Sequence, residues 1–236
     1  MKVAYLGTGS WGVALAALLS ENNHKVVAWD RNKELIDILR LDRVHPKLPG
    51  FAVPKNILFV NDIEEALQGA ELIVESVTSA GIRPVFEKVI TILDVNCPVV
   101  ITSKGIEQKT GLLFPEAVAE VLGADKKHWI GCISGPSHAE EVVKKMPTSL
   151  VGAAYDLPVR EQICQIFNSP TFRVYPNADI HGVAFGGAMK NIIAIACGLS
   201  DGLSFGDNTK AALITRGLHE IRKLSRVKGC KSETLN

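Results

Sequence analysis

The 236-residue sequence predicts an α/β fold, a mainly parallel β-sheet with helices on both faces, followed by the start of an all-α C-terminal domain. Short β-rich segments alternate with helix-length amphipathic segments through the first three-quarters of the chain, which is typical of a parallel sheet covered by helices. The first five β-rich segments have largely continuous apolar cores, as strands buried on both faces do. From about Asp179 two long apolar helical patterns follow each other without a strand between them. We therefore predict an N-terminal domain of residues 1–178 and an incomplete helical domain of residues 179–236.

In chain order, the elements are predicted from the length and periodicity of the apolar segments. Strands are predicted at residues 2–6, 25–29, 72–77, 99–103, 129–134, 148–152 and 172–175. Helices are predicted at residues 11–20, 33–41, 63–67, 83–93, 114–122, 159–167, 179–198 and 209–227. Residues 44–56 contain three prolines and a glycine, so this segment is predicted to be irregular.

Composition and charge exclude several classes of protein. The chain has 26 Lys and Arg against 25 Asp and Glu, and this balance gives no basic field that would attract nucleic acid or an anionic membrane. Partners must therefore be inferred from candidate sites and not from net charge, and the sites described below predict a small-molecule partner. The five cysteines lack C-x-x-C spacing and the six histidines lack H-x-x-x-H spacing, so neither a disulfide framework nor a metal site is expected.

The protein is predicted to be cytoplasmic. Glycines interrupt the N-terminal apolar stretch where a signal peptide would need an unbroken one. The longest apolar run, residues 183–199, has Lys190 and Asn191 in its middle, which argues against a membrane span. We interpret that run as a buried helix.

Residues 7–12 form a G-x-G-x-x-G motif, Gly7-Thr8-Gly9-Ser10-Trp11-Gly12, between a predicted strand and a predicted helix. In this context Gly7 permits a tight turn, Gly9 lets the backbone approach a pyrophosphate, and Gly12 allows close packing of helix on strand. The helix N-terminus offers N–H donors and a partial positive charge to the phosphates. The motif predicts a Rossmann-type domain that binds a nicotinamide dinucleotide, and an ordinary strand-to-helix turn is the alternative.

Two neighbouring residues at the end of the second predicted strand bear on the choice of cofactor. Asp30 is placed to bind the adenine-ribose hydroxyls of NAD. Arg31 beside it would instead pair with the 2′-phosphate of NADP. The two residues point in opposite directions, and a solvated pair at a strand end is a third interpretation, so NADH and NADPH both stay open.

Lys190 lies in a helical pattern that is apolar on all sides, so its ammonium is expected to be partly desolvated. Desolvation lowers the pKa of a lysine, which suits it to donate a proton to an alkoxide that forms when a carbonyl is reduced. Asn191 and the preceding Gly186-Gly187 pair favour this catalytic role. The alternative is a lysine that reaches from a buried helix to water.

Two further segments follow predicted strands, at the sheet edge where ligands of this architecture bind. Lys104 comes after one strand and could hold a phosphate or a carbonyl oxygen, although a surface lysine in a turn is equally compatible with this position. Gly135 and Ser137 follow the next strand, and Ser137 is predicted to cap a helix whose free amides face an anion. Neither Ser10 nor Ser137 lies in a nucleophile elbow, which argues against a hydrolase.

With these residues in view, nearly the whole chain resembles the bacterial NAD(P)-dependent glycerol-3-phosphate dehydrogenases. The matching stretches are residues 7–12, Ser103-Lys104-Gly105-Ile106-Glu107, residues 133–139, Phe172-Arg173-Val174-Tyr175, residues 187–195 and residues 211–217. The glycine motif is shared by many dehydrogenases, whereas the stretches around Lys190 and Arg216 are specific to this family.

The resemblance implies reversible reduction of dihydroxyacetone phosphate to sn-glycerol 3-phosphate, the entry step to glycerophospholipid synthesis, with NADPH or NADH as cofactor. By position, Ser10, Trp11, Arg31 and Ala139 resemble cofactor contacts, Gly135 and Ser137 resemble substrate contacts, and Lys104 resembles both. The resemblance also makes Lys190 the proton donor or acceptor, with Asn191 supporting the site.

The chain departs from the family pattern in two ways. The family's chain continues past residues 231–236 with a Gly-Leu-Gly-Asp-Leu stretch and an Arg-Asn pair that hold the substrate phosphate. Glu75 and Thr78 stand where an apolar residue and a proline are expected, beside the nicotinamide pocket.

Several alternatives remain open on the sequence. One is another dehydrogenase with a Rossmann domain followed by helices, such as a hydroxyacid or 6-phosphogluconate dehydrogenase. Another is a non-catalytic dinucleotide-binding module, because the phosphate-binding stretches are absent. The role of Arg216 is undecided, and an exposed apolar face on residues 209–227 would indicate a homodimer.

Overall fold

The computed structural model describes residues 1–235, and one eight-stranded sheet runs through it in the order β3-β2-β1-β4-β5-β6-β7-β8. Neighbouring strands are parallel except for the antiparallel pair β6 and β7. The strands are β1 (Lys2–Leu6), β2 (Lys25–Trp29), β3 (Leu58–Val60), β4 (Leu72–Glu75), β5 (Val99–Ile101), β6 (Ile130–Ser134), β7 (Thr148–Ala154) and β8 (Phe172–Asn177). The predicted mainly parallel sheet is confirmed.

Helices cover both faces of the sheet. They are α1 (Ser10–Glu21), α2 (Lys33–Leu41), α3 (Ile63–Leu67), α4 (Ile82–Ile92), α5 (Phe114–Leu122), α6 (Ala139–Val142), α7 (Leu157–Phe167), α8 (Ile180–Gly202) and α9 (Gly206–Val227). One apolar cluster joins the sheet to α1, α2, α6 and α7, and a second joins its other face to α3, α4, α5 and the start of α8. The fold class predicted from the alternating pattern is confirmed.

The strand order places one edge of the sheet for ligand binding. β1 pairs with β2 on one side and with β4 on the other, so the direction of winding reverses between β1 and β4. In open α/β sheets the crevice beyond the carboxyl ends of two such strands is where ligands bind. The glycine motif follows β1, and Glu75 ends β4 at this crevice.

The structure differs from the prediction at several boundaries. Strand β3 was missed because it has three residues at the sheet edge, and its Leu58 is half exposed. β4 and β5 each end two residues earlier than predicted, and α8 extends to Gly202. Residues 44–56 contain no helix or strand apart from one isolated bridge between His45 and Leu48, as predicted.

The apolar helix α8 changes its surroundings along its length. Ile180 and Val183 are buried in the core beneath the sheet, and Phe185 is buried in a small cluster with Leu113 and Ile221. Ile195 and Leu199 further along are 72% and 65% exposed. The interpretation of residues 183–199 as a buried helix is therefore wrong for the second half of that run. Among the helices of residues 1–235, α8 is the one long and apolar enough by composition to cross a membrane, and 22% of its most apolar window is buried. Its first half packs as a helix of a folded domain does.

Candidate active site

The glycine motif forms a tight connection between β1 and α1. Gly7 has a φ of +101°, and a Cβ there would lie 2.6 Å from the carbonyl oxygen of Ser76. A Cβ on Gly12 would lie 2.1 Å from the carbonyl oxygen of Gly7, so α1 packs directly on the turn. At Gly9 a Cβ would meet no atom within 4 Å. The first and third glycines thus close the turn, and the second leaves open space beside the backbone.

This open space suits a dinucleotide. Gly9 is the N-cap of α1 and no side chain caps the helix, so N–H groups of its first turn are free to meet a phosphate. A cleft of about 270 Å³ continues from Gly7 and Gly9 to the residues after β2 and β4, among them Arg31 and Thr78. The donors, the space and the helix end together fit the cofactor that the motif predicts.

Asp30 and Arg31 lie at this cleft in different states. The Asp30 Oδ2 accepts hydrogen bonds from the backbone N–H of Thr8 at 2.8 Å and from its Oγ1 at 3.1 Å. The Asp30 Oδ1 accepts the N–H of Asn32 at 2.9 Å. The carboxylate is thus engaged in holding the glycine motif. The Arg31 side chain is exposed.

His45 supports the same loop, and sequence reasoning missed it. Its ring is buried, with Nε2 3.2 Å from the carbonyl oxygen of Thr8 and Nδ1 accepting the N–H of Lys47 at 3.1 Å. Nε2 therefore carries the ring proton and donates a hydrogen bond to the carbonyl oxygen of Thr8. His45 lies in the segment predicted to be irregular, where no spacing indicates a contact 37 residues away along the chain.

Four predicted residues meet beyond β5 and β6. The Nζ of Lys190 donates to the carbonyl oxygen of Gly135 at 3.0 Å. The Nζ of Lys104 lies 3.4 Å from the Oγ of Ser137, and that hydroxyl lies 3.4 Å from the same Gly135 oxygen. The structure thus brings Lys104, Gly135, Ser137 and Lys190 together at the edge predicted from the strand ends.

Burial changes the acidity of both lysines. The pKa of Lys104 is lowered to about 8, first by burial and then by the positive charge of Lys190. Burial also lowers the pKa of Lys190. A lysine with a lowered pKa gives up a proton more readily near neutral pH, which is the behaviour the sequence predicts for Lys190.

Glycine allows α8 to approach these residues. A Cβ on Gly187, one turn before Lys190, would lie 2.2 Å from the Ser134 Oγ and 3.5 Å from the Lys104 Cγ. A larger residue would require the Ser134 hydroxyl to rotate away or α8 to move from β6. The Ser134 Oγ is itself buried without a hydrogen-bond partner within residues 1–235, which no pattern in the sequence indicates.

Trp11 connects the two halves of the site. The Lys104 Nζ lies 5.2 Å from the centroid of the Trp11 ring, within the range of a cation–π contact. Ser10 is partly buried at the start of α1, and Ala139 is buried at the start of α6. Trp11 therefore links the glycine motif to the lysine pair.

The positions of three further residues bear on their predicted or undecided roles. The helix after β6 begins at Ala139 with His138 as its N-cap, so the prediction that Ser137 caps it is wrong; Ser137 faces Lys104 instead. Asn191 is exposed on α8 and makes no side-chain hydrogen bond among the described residues. Arg216 is 72% exposed on α9 and pairs with Glu220 at 2.8 Å.

Comparison with known proteins agrees with this arrangement. The family model for the NAD-dependent glycerol-3-phosphate dehydrogenase N-terminus matches residues 2–159, and the model for the C-terminus of the same family matches residues 179–236. The glycerol-3-phosphate dehydrogenase (NAD(P)+) of Protochlamydia amoebophila is 57% identical over 235 residues, which are 100% of this chain and 71% of that protein. The corresponding enzyme of Chlamydia caviae is 54% identical, over 100% of this chain and 70% of that protein.

A solved structure gives the same result. The crystal structure of glycerol-3-phosphate dehydrogenase from Coxiella burnetii superposes with a TM-score of 0.92 at 36% identity, covering 99% of this chain and 71% of that one. Both the sheet with its helices α1–α7 (the sheet domain) and the helices α8 and α9 (the helical pair) are therefore shared with that structure.

Proposed function

The chain belongs to the NAD-dependent glycerol-3-phosphate dehydrogenase family, and from this premise we propose which residues bind the cofactor, bind the substrate and transfer the proton. The protein is an NAD(P)-dependent oxidoreductase that reversibly reduces dihydroxyacetone phosphate to sn-glycerol 3-phosphate. The observation that carries the assignment of roles is the meeting of Lys190 and Lys104 with Gly135 and Ser137, next to Trp11 of the glycine motif.

The cofactor would be held in the cleft beside the glycine motif. The backbone N–H groups of Gly9, Ser10 and Gly12 at the helix start would receive the pyrophosphate, and Gly7, whose N–H is bonded to the carbonyl oxygen of Trp29, would shape the turn. Trp11, Arg31, Lys104 and Ala139 complete its surroundings. Asp30 contributes by fixing Thr8, which leaves Arg31 free to meet a 2′-phosphate. A nicotinamide bound there would supply the hydride for the ketone carbon.

Lys190 provides the proton. As the ketone carbon gains a hydride, its oxygen becomes an alkoxide, and the ammonium of Lys190 gives it a proton and becomes a neutral amine. The hydrogen bond to Gly135 keeps Nζ at the end of β6 while this happens. Water then returns a proton to the amine. In the reverse direction the neutral amine takes the hydroxyl proton.

Lys104 and Ser137 bind the substrate. The ammonium of Lys104 attracts the phosphate dianion or the carbonyl oxygen of the substrate. The Ser137 hydroxyl, which faces Lys104, donates a further hydrogen bond to the same group. Asn191 follows Lys190 on the exposed side of α8, and we assign it a supporting role at the open side of the cleft.

The two regions act as two domains. Residues 1–178 form the cofactor domain and residues 179–236 the first part of the substrate domain, which the separate family matches at residues 2–159 and 179–236 support. The partner is a small-molecule substrate, and the proposed location is the cytoplasm. Exposed apolar side chains along α9, such as Ile214, Leu218 and Val227, support association of two copies.

Removal of Lys190 tests the assignment directly. NADPH or NADH absorbance is followed with dihydroxyacetone phosphate for the wild type, for Lys190→Ala and for Lys88→Ala, which changes an exposed lysine on α4. Loss of a general acid is expected to lower kcat by about 10²- to 10⁴-fold, and the Lys88 variant is expected to match the wild type. Equal rates for the two variants would remove Lys190 from the mechanism, and turnover of a different carbonyl substrate in preference to this one would overturn the substrate.

A further inference from the structure

Glu75 is a buried acid at the centre of the site, and the reaction described above does not use it. It ends β4 and pairs in register with Leu6 of β1 and with Ile101 of β5. Its side chain has no exposed surface. A carboxyl group in this position is expensive to bury, since the rest of this face of the sheet is apolar.

The contacts of Glu75 run to two loops. Its Oε1 accepts the backbone N–H of Val77 at 2.6 Å and lies 2.8 Å from the Oγ of Ser103. The same Oγ lies 2.8 Å from the carbonyl oxygen of Val77. The Oε2 is buried and has no hydrogen-bond partner within residues 1–235.

Counting protons shows which form of Glu75 fits. Ser103 has one hydroxyl proton, which can serve the Val77 oxygen or the Glu75 Oε1 but not both. With an ionised Glu75, one of these two short oxygen–oxygen contacts would hold no proton, and a charged Oε2 would be buried unpaired. A proton on Oε1 gives both contacts a hydrogen, since Glu75 donates to Ser103 and Ser103 donates to Val77, and it leaves the buried Oε2 uncharged.

The loop after β4 and the loop after β5, which Glu75 joins, belong to the cofactor side and the substrate side of the site. Val77 and Thr78 line the cofactor side. Ser103 directly precedes Lys104, whose Nζ faces Ser137 on the substrate side. A change at Glu75 therefore reaches both ligands without touching either.

We propose that Glu75 is a positioning residue that works as a neutral acid, its proton joining the loop after β4 to the loop after β5, so that its ionisation loosens cofactor and substrate binding together. Burial supports this assignment, because it raises the pKa of Glu75 from 4.5 to about 7 against hydrogen bonds that lower it. Ionisation thus falls within the range in which an enzyme works.

The charged groups on neighbouring elements do not offset this burial. Tyr5 on β1 stays a neutral phenol, since burial raises its pKa, and its hydroxyl is bonded to Ser76. Arg83 on α4 pairs with Glu107 and Glu120. Lys104, the cation after β5, makes its contacts with Ser137 and Trp11. Among the described residues, no cation contributes to the shifted pKa of Glu75.

The sign of the pH effect follows from the raised pKa. The folded protein holds the proton more tightly than the unfolded chain, so this stabilisation is fully present below pH 4.5 and is lost as pH rises through about 7. Relative to Glu75→Gln, which stays neutral, the unfolding equilibrium constant of the wild type should rise by roughly two orders of magnitude across this range. Glu87→Gln, an exposed acid on α4, is the control and should follow the wild type.

Three measurements decide the proposal. Denaturation between pH 4.5 and 8.5 gives the stability difference. Infrared spectroscopy of the wild type should show a protonated-carboxyl band at pH 6 that fades by pH 8.5 and is absent from Glu75→Gln. As pH rises, NADPH affinity should fall and the KM for dihydroxyacetone phosphate should rise more in the wild type than in Glu75→Gln. Lys104 titrates in both proteins, so the difference between them reports Glu75.

A further variant separates positioning from packing. Glu75→Val keeps an apolar core and should fold, yet it should bind NADPH weakly at every pH, whereas Glu75→Gln should restore much of the affinity. An absent infrared band at pH 6, or equal pH profiles for wild type and Glu75→Gln, would overturn the proposal. The kinetic arm rests on the activity given above, but the infrared and denaturation arms do not, so failure of the activity would be recognised separately.

Discussion

The sheet domain and the helical pair α8–α9 bury their apolar residues to very different extents. On the sheet, two clusters with almost no exposed surface fill the space between strands and helices. Between α8 and α9 one small buried cluster joins them to the sheet domain. Beyond it Ile195, Leu199 and Val227 are 72%, 65% and 88% exposed. The sheet domain therefore has an almost fully buried core, to which the start of α8 contributes, whereas the rest of the helical pair presents apolar surface that a further surface would cover.

This difference bears on the position of Lys190, the proposed proton donor. Lys190 lies on the last part of α8 that packs against the sheet, fixed by Gly135 and by the close approach at Gly187. The next residue, Asn191, is already exposed. A proton donor must stay within hydrogen-bonding distance of the reacting oxygen, so it benefits from the well-packed half of the helix. The exposed half is free to adapt to whatever covers it.

The largest expected effect tests the comparison with one substitution in each region. Phe86 is fully buried on α4, and Phe205 at the start of α9 is 59% exposed. Phe86→Ala should destabilise the fold by about 4 kcal/mol, because it removes a buried ring and leaves a cavity. Phe205→Ala should cost less than about 1 kcal/mol. Urea denaturation gives both values, and similar losses would mean that the helical pair is packed as tightly as the sheet.

The next effect lies within the cofactor domain and separates folding from binding. Gly12→Ala puts a Cβ against the Gly7 carbonyl and should destabilise the fold by about 3 kcal/mol. Gly9→Ala meets only open space, so stability should change by less than about 1 kcal/mol while NADPH binding weakens at least about tenfold. Denaturation and NADPH titration measure the two quantities. Unchanged NADPH affinity in Gly9→Ala would show that the phosphates do not use this turn.

A smaller effect concerns the cofactor itself. Because Asp30 is engaged with Thr8 and Asn32, Arg31 is the residue expected to recognise a 2′-phosphate. Arg31→Ala should weaken NADPH binding roughly tenfold and NADH binding less than about twofold. Arg40→Ala, an exposed arginine on α2 paired with Asp37, is the matched control. Equal losses for both cofactors would assign Arg31 to another part of the dinucleotide.

Much of the sheet domain was predictable because its signals are local. The boundaries of β1 and β2 were predicted correctly, since each is a buried apolar run that follows a lysine. The meeting of Lys104 with Ser137 followed from a general rule, that carboxyl ends of neighbouring parallel strands share an edge. Such features depend on residues near one another in the chain or on topology alone.

The missed features depend on contacts between distant segments. His45 reaches Thr8 from an irregular segment, and Ser103 reaches Glu75 from the next strand. The resemblance to the family marked Glu75 as a departure from the expected apolar residue, but the hydrogen-bond partners of Glu75 are visible only in the structure. The exposure of Ile195 was missed for the opposite reason, because an apolar run looks the same whether or not a neighbour covers it.

The smallest effect on stability is expected where the helical pair is open. Ile195→Lys places a charge on a side chain that is already 72% exposed, so the free energy of unfolding should change by less than about 0.5 kcal/mol. The same charge should be costly where two apolar faces meet, so association should move to higher protein concentration. Light scattering over a wide concentration range compares this variant with the wild type and with Lys88→Ala. A wild type that is monomeric throughout would refute self-association, and a large loss of stability in Ile195→Lys would show that α8 is covered in solution, which would break the contrast between the two regions.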